Sequence, residues 1–354
     1  MQKKQVAIIG FGRSGGDIHG AFFASERNEW FEVVAVVDEL EIRRERAKAR
    51  FHCDVYADYH ELLNRKDIDL VVNATYSHLH FPVALDLLEH GFNVVTEKPF
   101  AMHAADCDAM IAAAEKNGVA LCVFQQSHFA PYYQEVCKII NSGVLGRIIE
   151  VKINFAGFSR RWDWQCSRAY GGGNLRNTGP HPLEQALNFF DDDTMPTVVS
   201  YLDRANSFGD AEDFAKVILT QPGKPIVEVE VSSCNAYSDY TYLIQASQGS
   251  LKGTLQEISY KYFDPAQAQP RKLITESLQG PEGAPSYCSE TLGWNEVHLT
   301  MDGDAFGAAT KAYYRNVYDH LTNGTPLVIR PEKIRQQIAI IEEVYRQNPQ
   351  EYPL

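Results

Sequence analysis

No two cysteines in this chain stand two residues apart. The seven present (Cys53, Cys107, Cys122, Cys137, Cys166, Cys234 and Cys288) are odd in number and scattered, which argues against a zinc site or a redox dithiol. They read as reduced, mostly structural thiols, and no metal is expected. Cations are outnumbered, 33 Lys and Arg against 46 Asp and Glu, for a formal charge of -13. With no basic stripe to override that balance, a phosphate backbone would be repelled and no nucleic-acid partner is expected. Long apolar runs are missing too. The opening MQKKQVAIIG has two lysines and an apolar run that meets glycine at once, which fits neither a signal peptide nor a membrane span. The expectation is a cytoplasmic protein with no membrane partner. Repeats and low-complexity tracts are also absent.

What is present is the composition of a folded protein, 45% hydrophobic and 22% charged. A length of 354 residues exceeds what one core usually serves, so two domains are expected. Through residue 125, short apolar runs alternate with helical patterns: Val6 to Ile9, Val33 to Val37, Leu70 to Asn73, Asn93 to Thr96 and Ala120 to Phe124. Strands buried on both faces of a helix-covered parallel sheet read this way. One helix is predicted from near Pro82 to a stop at Gly91, and another through ADCDAMIAAAEKN to a stop at Gly118.

After a helix over Pro131 to Asn141 the pattern changes to clean alternation. Ile149, Val151, Ile153 and Phe155 share one face, against Glu150, Lys152 and Asn154; Val227, Val229 and Val231 oppose Glu228 and Glu230 in the same way. One packed face and one open face imply a large, open, mostly antiparallel sheet. Helices over Ala312 to Asn323 and Pro331 to Gln347, around a Gly324 cap, close the chain; 264 to 290 reads as a long loop. The expected class is α/β: a doubly wound N-terminal domain, 1–125, for a dinucleotide, and an α+β domain, 126–354, for substrate and assembly.

Gly10-Phe11-Gly12-Arg13-Ser14-Gly15 follows the first strand with the G-x-G-x-x-G spacing, which lets amides at a helix start approach a pyrophosphate. With 24 glycines in 354 residues, chance supplies that spacing about 0.1 times, so placement must carry the inference. The placement is strand, loop, helix, and the second strand ends in Asp38, where a carboxylate would accept the adenosine ribose hydroxyls and repel a 2′-phosphate. NAD is therefore favoured. Arg13, Arg43 and Arg44 lie close enough in sequence to leave NADP open.

The fourth strand runs into Glu97-Lys98-Pro99, setting a lysine at the carboxyl edge of the sheet, where its ammonium could steady a developing alkoxide. Together with the glycine motif this resembles the glucose-fructose oxidoreductase, inositol dehydrogenase and rhizopine-catabolism (Gfo/Idh/MocA) family. Ala74-Thr75-Tyr76-Ser77-His78-Leu79-His80 resembles that family's loop after the third strand, and Gly171-Gly172-Gly173 with Gly179 and His181 its motif opposite the nicotinamide. Ala246 to Leu251 and Asn323 to Leu327 also fit. The resemblance implies that Lys98 and His181 flank the reacting carbinol with His181 as base, that Thr75, His80, Glu97 and Gln126 border the cofactor, that Lys98-Pro99 is cis, and that the open sheet joins subunits into a homodimer or homotetramer.

Three departures from the family pattern stand out. Asn177 replaces an aspartate; an aspartate would raise the histidine pKa, whereas the amide is expected to leave it near its ordinary value. Glu184 stands, as a conservative change, where a later acid usually follows the histidine, and the glycine loop has one more residue before His19 than in many relatives. His128 stands where an arginine is common. Arg160, Trp162 and Tyr170, around Phe158 to Gln165, have the composition of a wall for a polyol or sugar, with Lys98, Asn177 and His181 completing it; the same residues would also suit a packed loop at a subunit contact. The implied activity is hydride transfer from a secondary alcohol of a sugar, glycoside or cyclitol. A dinucleotide-dependent sensor of the same fold, or a sugar–sugar oxidoreductase that retains its cofactor, stays open as the alternative.

Overall fold

Strands with apolar side chains on both faces need cover on both, and the first half of the chain provides it. The computed structural model describes residues 3–191, 194–301 and 303–349. Strands β1 (Lys4–Ile9), β2 (Phe31–Val37), β3 (Asp54–Tyr56), β4 (Leu70–Asn73), β5 (Val94–Thr96) and β6 (Leu121–Val123) form a wholly parallel sheet ordered β3-β2-β1-β4-β5-β6. Val6, Ala7, Ile8, Leu70, Val71, Val72, Val94 and Val95 are fully buried. The chain reverses its winding between β1 and β4, and at that switch point the loops after β1, β4, β5 and β6 converge, the usual ligand crevice of such sheets.

The helix expected to begin near Pro82 starts at His80, and the stop at Gly118 is a left-handed cap with φ 64°. β3 has no counterpart in the sequence reading, because three residues, one of them Asp54, are too short to show a pattern.

The second sheet has eight strands: β7 (Ile148–Ala156), β8 (Thr197–Asp203), β9 (Phe214–Thr220), β10 (Ile226–Ser232), β11 (Tyr242–Ala246), β12 (Gly249–Gly253), β13 (Glu257–Phe263) and β14 (Trp294–Thr300). Their order is β14-β13-β12-β11-β7-β10-β9-β8, antiparallel except where β7 meets β10. Val227, Val229 and Val231 point into the core, while Glu228 and Glu230 meet Lys216 at 3.1 and 3.0 Å on the open face. Ile149 departs from its expected inward place and is 38% exposed. The pairing of β7 with β11 skips it, Gln245 facing Glu150 and Ala246 facing Ile148, so Ile149 is the extra residue of a bulge.

The helices Ala305–Asn323 and Pro331–Gln347 return to the first half, and the former begins seven residues before its expected start. Tyr314 stacks on Phe22 with ring centroids 4.9 Å apart. Gln337 and Gln125 both donate to the Pro180 carbonyl, at 2.5 and 3.0 Å, pinning the start of the helix Pro180–Leu187 against the end of the parallel sheet. No helix among the described residues is long and apolar enough to cross a membrane.

Candidate active site

The glycine loop is held by contacts that tolerate no side chain. Gly10 has φ 83°, and a Cβ there would come within 2.5 Å of the Ala74 carbonyl oxygen; a Cβ at Gly15 would strike the Gly10 carbonyl. Residues Arg13–His19 then form a π-helical turn in which the Gly20 N–H donates to the Gly15 carbonyl. A π turn holds one more residue than an α turn, so the extra residue read in the sequence is absorbed here. The turn carries His19 into the core, with Nδ1 2.6 Å from the Tyr314 hydroxyl and Nε2 3.1 Å from Glu97 Oε1.

Glu97 is thereby surrounded. Ser14 Oγ donates to the same oxygen at 2.5 Å and the Lys98 N–H to the other at 3.0 Å. Burial alone would push this carboxyl up, but the His19 hydrogen bond, the charges of His19 and Lys98 and the Ser14 hydroxyl outweigh it and bring it down to about 2. Ser14 and Glu97, both assigned to the cofactor from sequence, thus bond each other under the loop.

At the end of β2, Asp38 Oδ2 accepts the Phe11 N–H at 2.7 Å and Oδ1 the Leu40 N–H at 2.9 Å, with Arg43 Nη1 3.4 Å away. Arg44 is turned to the Asp38 and Glu39 carbonyls. A dinucleotide fits these residues. The loop is a cradle that a Cβ would fill, a carboxylate stands at the end of the neighbouring strand β2, and beyond β6 the Gln126 side-chain oxygen is buried without a partner.

The Lys98-Pro99 peptide is cis. His80 braces it: Nδ1 lies 2.7 Å from the Pro99 carbonyl and Nε2 3.2 Å from that of Thr75, whose hydroxyl donates to Asn73 Oδ1 at 2.8 Å. His80 therefore ties the loops after β4 and β5 together. Lys98 Nζ donates to the backbone carbonyl of Asn177 at 2.6 Å. Burial lowers its pKa, opposed by Glu97 and reinforced by the nearby charges of Arg13 and Arg161.

His181, in the first turn of its helix, has Nδ1 2.9 Å from Ser127 Oγ. Burial, then the Lys98 charge, push its pKa down to about 3 against the pull of Glu97. This corrects the expectation of a value near the ordinary one, and the cause is not residue 177. The Asn177 side chain is turned away, its Oδ1 accepting from Gln165 Nε2 at 2.9 Å. Lys98, Asn177 and His181 do come together, with Asn177 taking part through its main chain.

The glycine-rich stretch lets this segment descend onto the parallel sheet. Gly171 and Gly173 have φ 73° and 109°; a Cβ would meet Met102 Sδ at 2.8 Å from the first and the buried Glu212 carboxyl from the second. At the rim, Tyr170 packs edge-on against His78 and Tyr76, centroids 5.3 and 6.4 Å away. Arg160 lies over the Phe208 ring at 4.6 Å, and Trp162, 79% exposed, meets the same ring. The tryptophan that crosses to the loop after β4 is Trp164, 5.1 Å from Tyr76.

Sequence reasoning passed over Ser127, and took in Tyr76, Trp164 and Gln165 only as parts of longer stretches. For Ser127 a signal existed: Gln125-Gln126-Ser127-His128 is a polar run directly beyond a fully buried strand, at the sheet edge where ligands bind. Its neighbour His128 bonds the buried Glu184 at 2.8 Å.

Residues 4–125 match an oxidoreductase family with an NAD-binding Rossmann fold, and residues 133–252 match the GFO/IDH/MocA C-terminal domain. The oxidoreductase YhhX of Escherichia coli is 29% identical over 346 residues, 96% of each chain. An inositol 2-dehydrogenase of Salmonella paratyphi B is 33% identical over 150 residues, 42% of this chain and 44% of that one. The WlbA dehydrogenase of Bordetella pertussis, solved with NADH and UDP-GlcNAcA, superposes with a TM-score of 0.77 at 21% identity, covering 100% of this chain and 98% of its own.

Proposed function

The chain belongs to the Gfo/Idh/MocA oxidoreductase family, and from that premise we propose that it is a dehydrogenase for a secondary alcohol of a sugar, glycoside or cyclitol. NAD, when bound, accepts the hydride. The observation that carries the reading is the meeting of Lys98 and His181 beside the glycine loop at the carboxyl edge of the parallel sheet. In it, residues 1–125 hold the dinucleotide, with Asp38 on the adenosine ribose and Gln126 toward the nicotinamide. Residues 126–354 hold the substrate and pair subunits through the open face of β7–β14.

An N–H of the Lys98 ammonium donates to the substrate oxygen and steadies its alkoxide character. With Nδ1 of His181 donating to Ser127 Oγ, Nε2 carries the lone pair that takes the hydroxyl proton. The burial and Lys98 charge that hold His181 neutral also drive that proton off again. Arg160, Trp162 and Tyr170 form the outer wall, with ring faces for C–H groups and a guanidinium for hydroxyls.

A screen of NAD reduction across inositols, aldoses, glycosides and sugar acids tests this. At least one class should support turnover, and Lys98→Met should cut it by about 100-fold or more. Purified protein that binds NAD but reduces it with none of them would overturn the dehydrogenase reading in favour of a sensor.

A further inference from the structure

Between the rim and the catalytic lysine runs an unbroken chain of hydrogen bonds that begins at a cation. Arg161 Nη2 donates to Asp163 Oδ2 at 2.9 Å. Asp163 Oδ1 accepts the Gln165 N–H at 3.1 Å, Gln165 Nε2 reaches Asn177 Oδ1 at 2.9 Å, and the Asn177 carbonyl accepts from Lys98 Nζ at 2.6 Å. The Arg161 carbonyl is itself held by the Phe208 N–H at 2.9 Å, which fixes the residue on its loop. Its side chain is 30% accessible, so it is set into the wall with an open side.

Resting on the dehydrogenase reading, we propose that the substrate carries a carboxylate and that Arg161 binds it, so that the natural alcohol is a sugar acid.

The charges at this corner support an anion. Arg13 stands on the glycine loop, beside the cofactor's pyrophosphate in that reading, and Lys98 faces the reacting carbinol, which leaves Arg161 as a third cation with no assigned partner but Asp163. Asp163 is half-exposed, where water screens it, and it caps the turn that aims Gln165. Lys98 senses Arg161 as a positive neighbour. Of the groups linking the two cations, Asp163 is a carboxylate and Gln165 and Asn177 are neutral amides; a further carboxylate in either amide place would add to the opposition an anionic ligand meets.

Arg161 also borders a small polar cavity with Ser159, Gln165, Asn174 and Ser233, with room of about 10 Å³, the space of one water or one ligand oxygen. Two acids line it as well, each with partners of its own. Asp213 is taken up by the N–H groups of Ala205, Asn206 and Ser207, and burial pushes the Glu212 carboxyl up, toward its neutral form. One planar guanidinium suits one planar, singly charged carboxylate in a forked pair.

Matched sugars differing only at the terminal carbon provide the test: D-glucose, D-glucuronate and D-glucose 6-phosphate, with the galactose set beside them, assayed with NAD. The uronates should exceed their parent sugars in kcat/KM by about 10-fold or more, the scale of a charged hydrogen bond. Added NaCl should erode that advantage. Arg161→Gln should collapse the uronate-to-parent ratio, and Arg161→Lys, which keeps the charge, should restore part of it. Parent sugars used as well as the uronates, 6-phosphates used better, or an unchanged ratio in Arg161→Gln would each overturn the carboxylate assignment while leaving a dehydrogenase. Failure of every sugar, charged and neutral, would instead count against the dehydrogenase reading.

Discussion

The hydroxyl of Ser127 lies 2.9 Å from Nδ1 of His181, so an alcohol rather than a carboxylate orients the imidazole. A hydroxyl can donate to or accept from the ring nitrogen, so it orients the imidazole without the charge by which a carboxylate would stabilise an imidazolium. Ser127→Ala should lower kcat about 10-fold, the effect of one lost neutral hydrogen bond, with little change in KM for NAD. Ser127→Thr, which keeps the hydroxyl, should recover most of the rate. Steady-state kinetics on both variants checks this, and a Ser127→Ala enzyme with the parental kcat would remove the serine from the proposed mechanism.

The pH dependence should belong to Lys98. With His181 down at about 3, its ionisation lies below the working range. Burial places the Lys98 ionisation below its ordinary value. If Lys98 acts as an ammonium, oxidation should decline as pH rises through that lowered pKa. Lys98→Met should retain NAD binding, lose about 100-fold or more in turnover, and show no such decline in what remains. His181→Ala should be slow yet keep the alkaline decline. An alkaline limb that survives in Lys98→Met would assign it to another group.

These two residues also mark how far the sequence could be read. Lys98 was legible because a strand, a sheet edge and a motif fix where a main chain goes, and the glycines at 10, 15, 118 and 324 were legible because each meets a backbone demand. The orientation of Asn177 toward Gln165, and the partnership of Ser127 with His181, were not. The first depends on how a loop 12 residues long folds back on itself and the second on how two segments 54 residues apart in sequence dock, neither of which a local pattern encodes. Ile149 failed for a related reason: a bulge shifts register by one residue, and alternation within β7 cannot reveal that β11 skips it. The π turn was visible only as an extra residue, without its consequence for His19.

Asp38 governs the choice of dinucleotide in the proposed reading. Its oxygens accept the Phe11 and Leu40 N–H groups, which holds the carboxylate at the end of β2, where it accepts ribose hydroxyls and repels a 2′-phosphate. Wild-type protein should have the lower KM for NAD, and Asp38→Ala should reduce the NAD-to-NADP ratio of kcat/KM by about 10-fold or more. The variant should also melt earlier, since two amides lose their acceptor. A lower KM for NADP in the parent enzyme would remove Asp38 from the ribose and turn attention to Arg43.

Acid should weaken the fold through the same groups that make the site. A histidine with an ordinary pKa of 6.5 that sits at about 3 when folded takes up its proton more readily in the unfolded chain; between those two values unfolding binds protons and stability falls as pH falls. Glu97, at about 2 against an ordinary 4.5, adds to the loss in a lower window, from about 4.5 down to 2. The two windows can be separated by mutation. Thermal melts of wild type and His181→Gln at pH 7 and pH 5 should show the variant losing less, by a few degrees, because its replacement does not titrate there. Glu97→Gln should leave the drop between pH 7 and 5 in place, though from a lower starting Tm, as His19 and Ser14 lose a charged acceptor. Equal acid losses in wild type and His181→Gln would mean that the imidazole keeps its ordinary pKa in the folded protein, and that burial and the Lys98 charge do not hold it neutral.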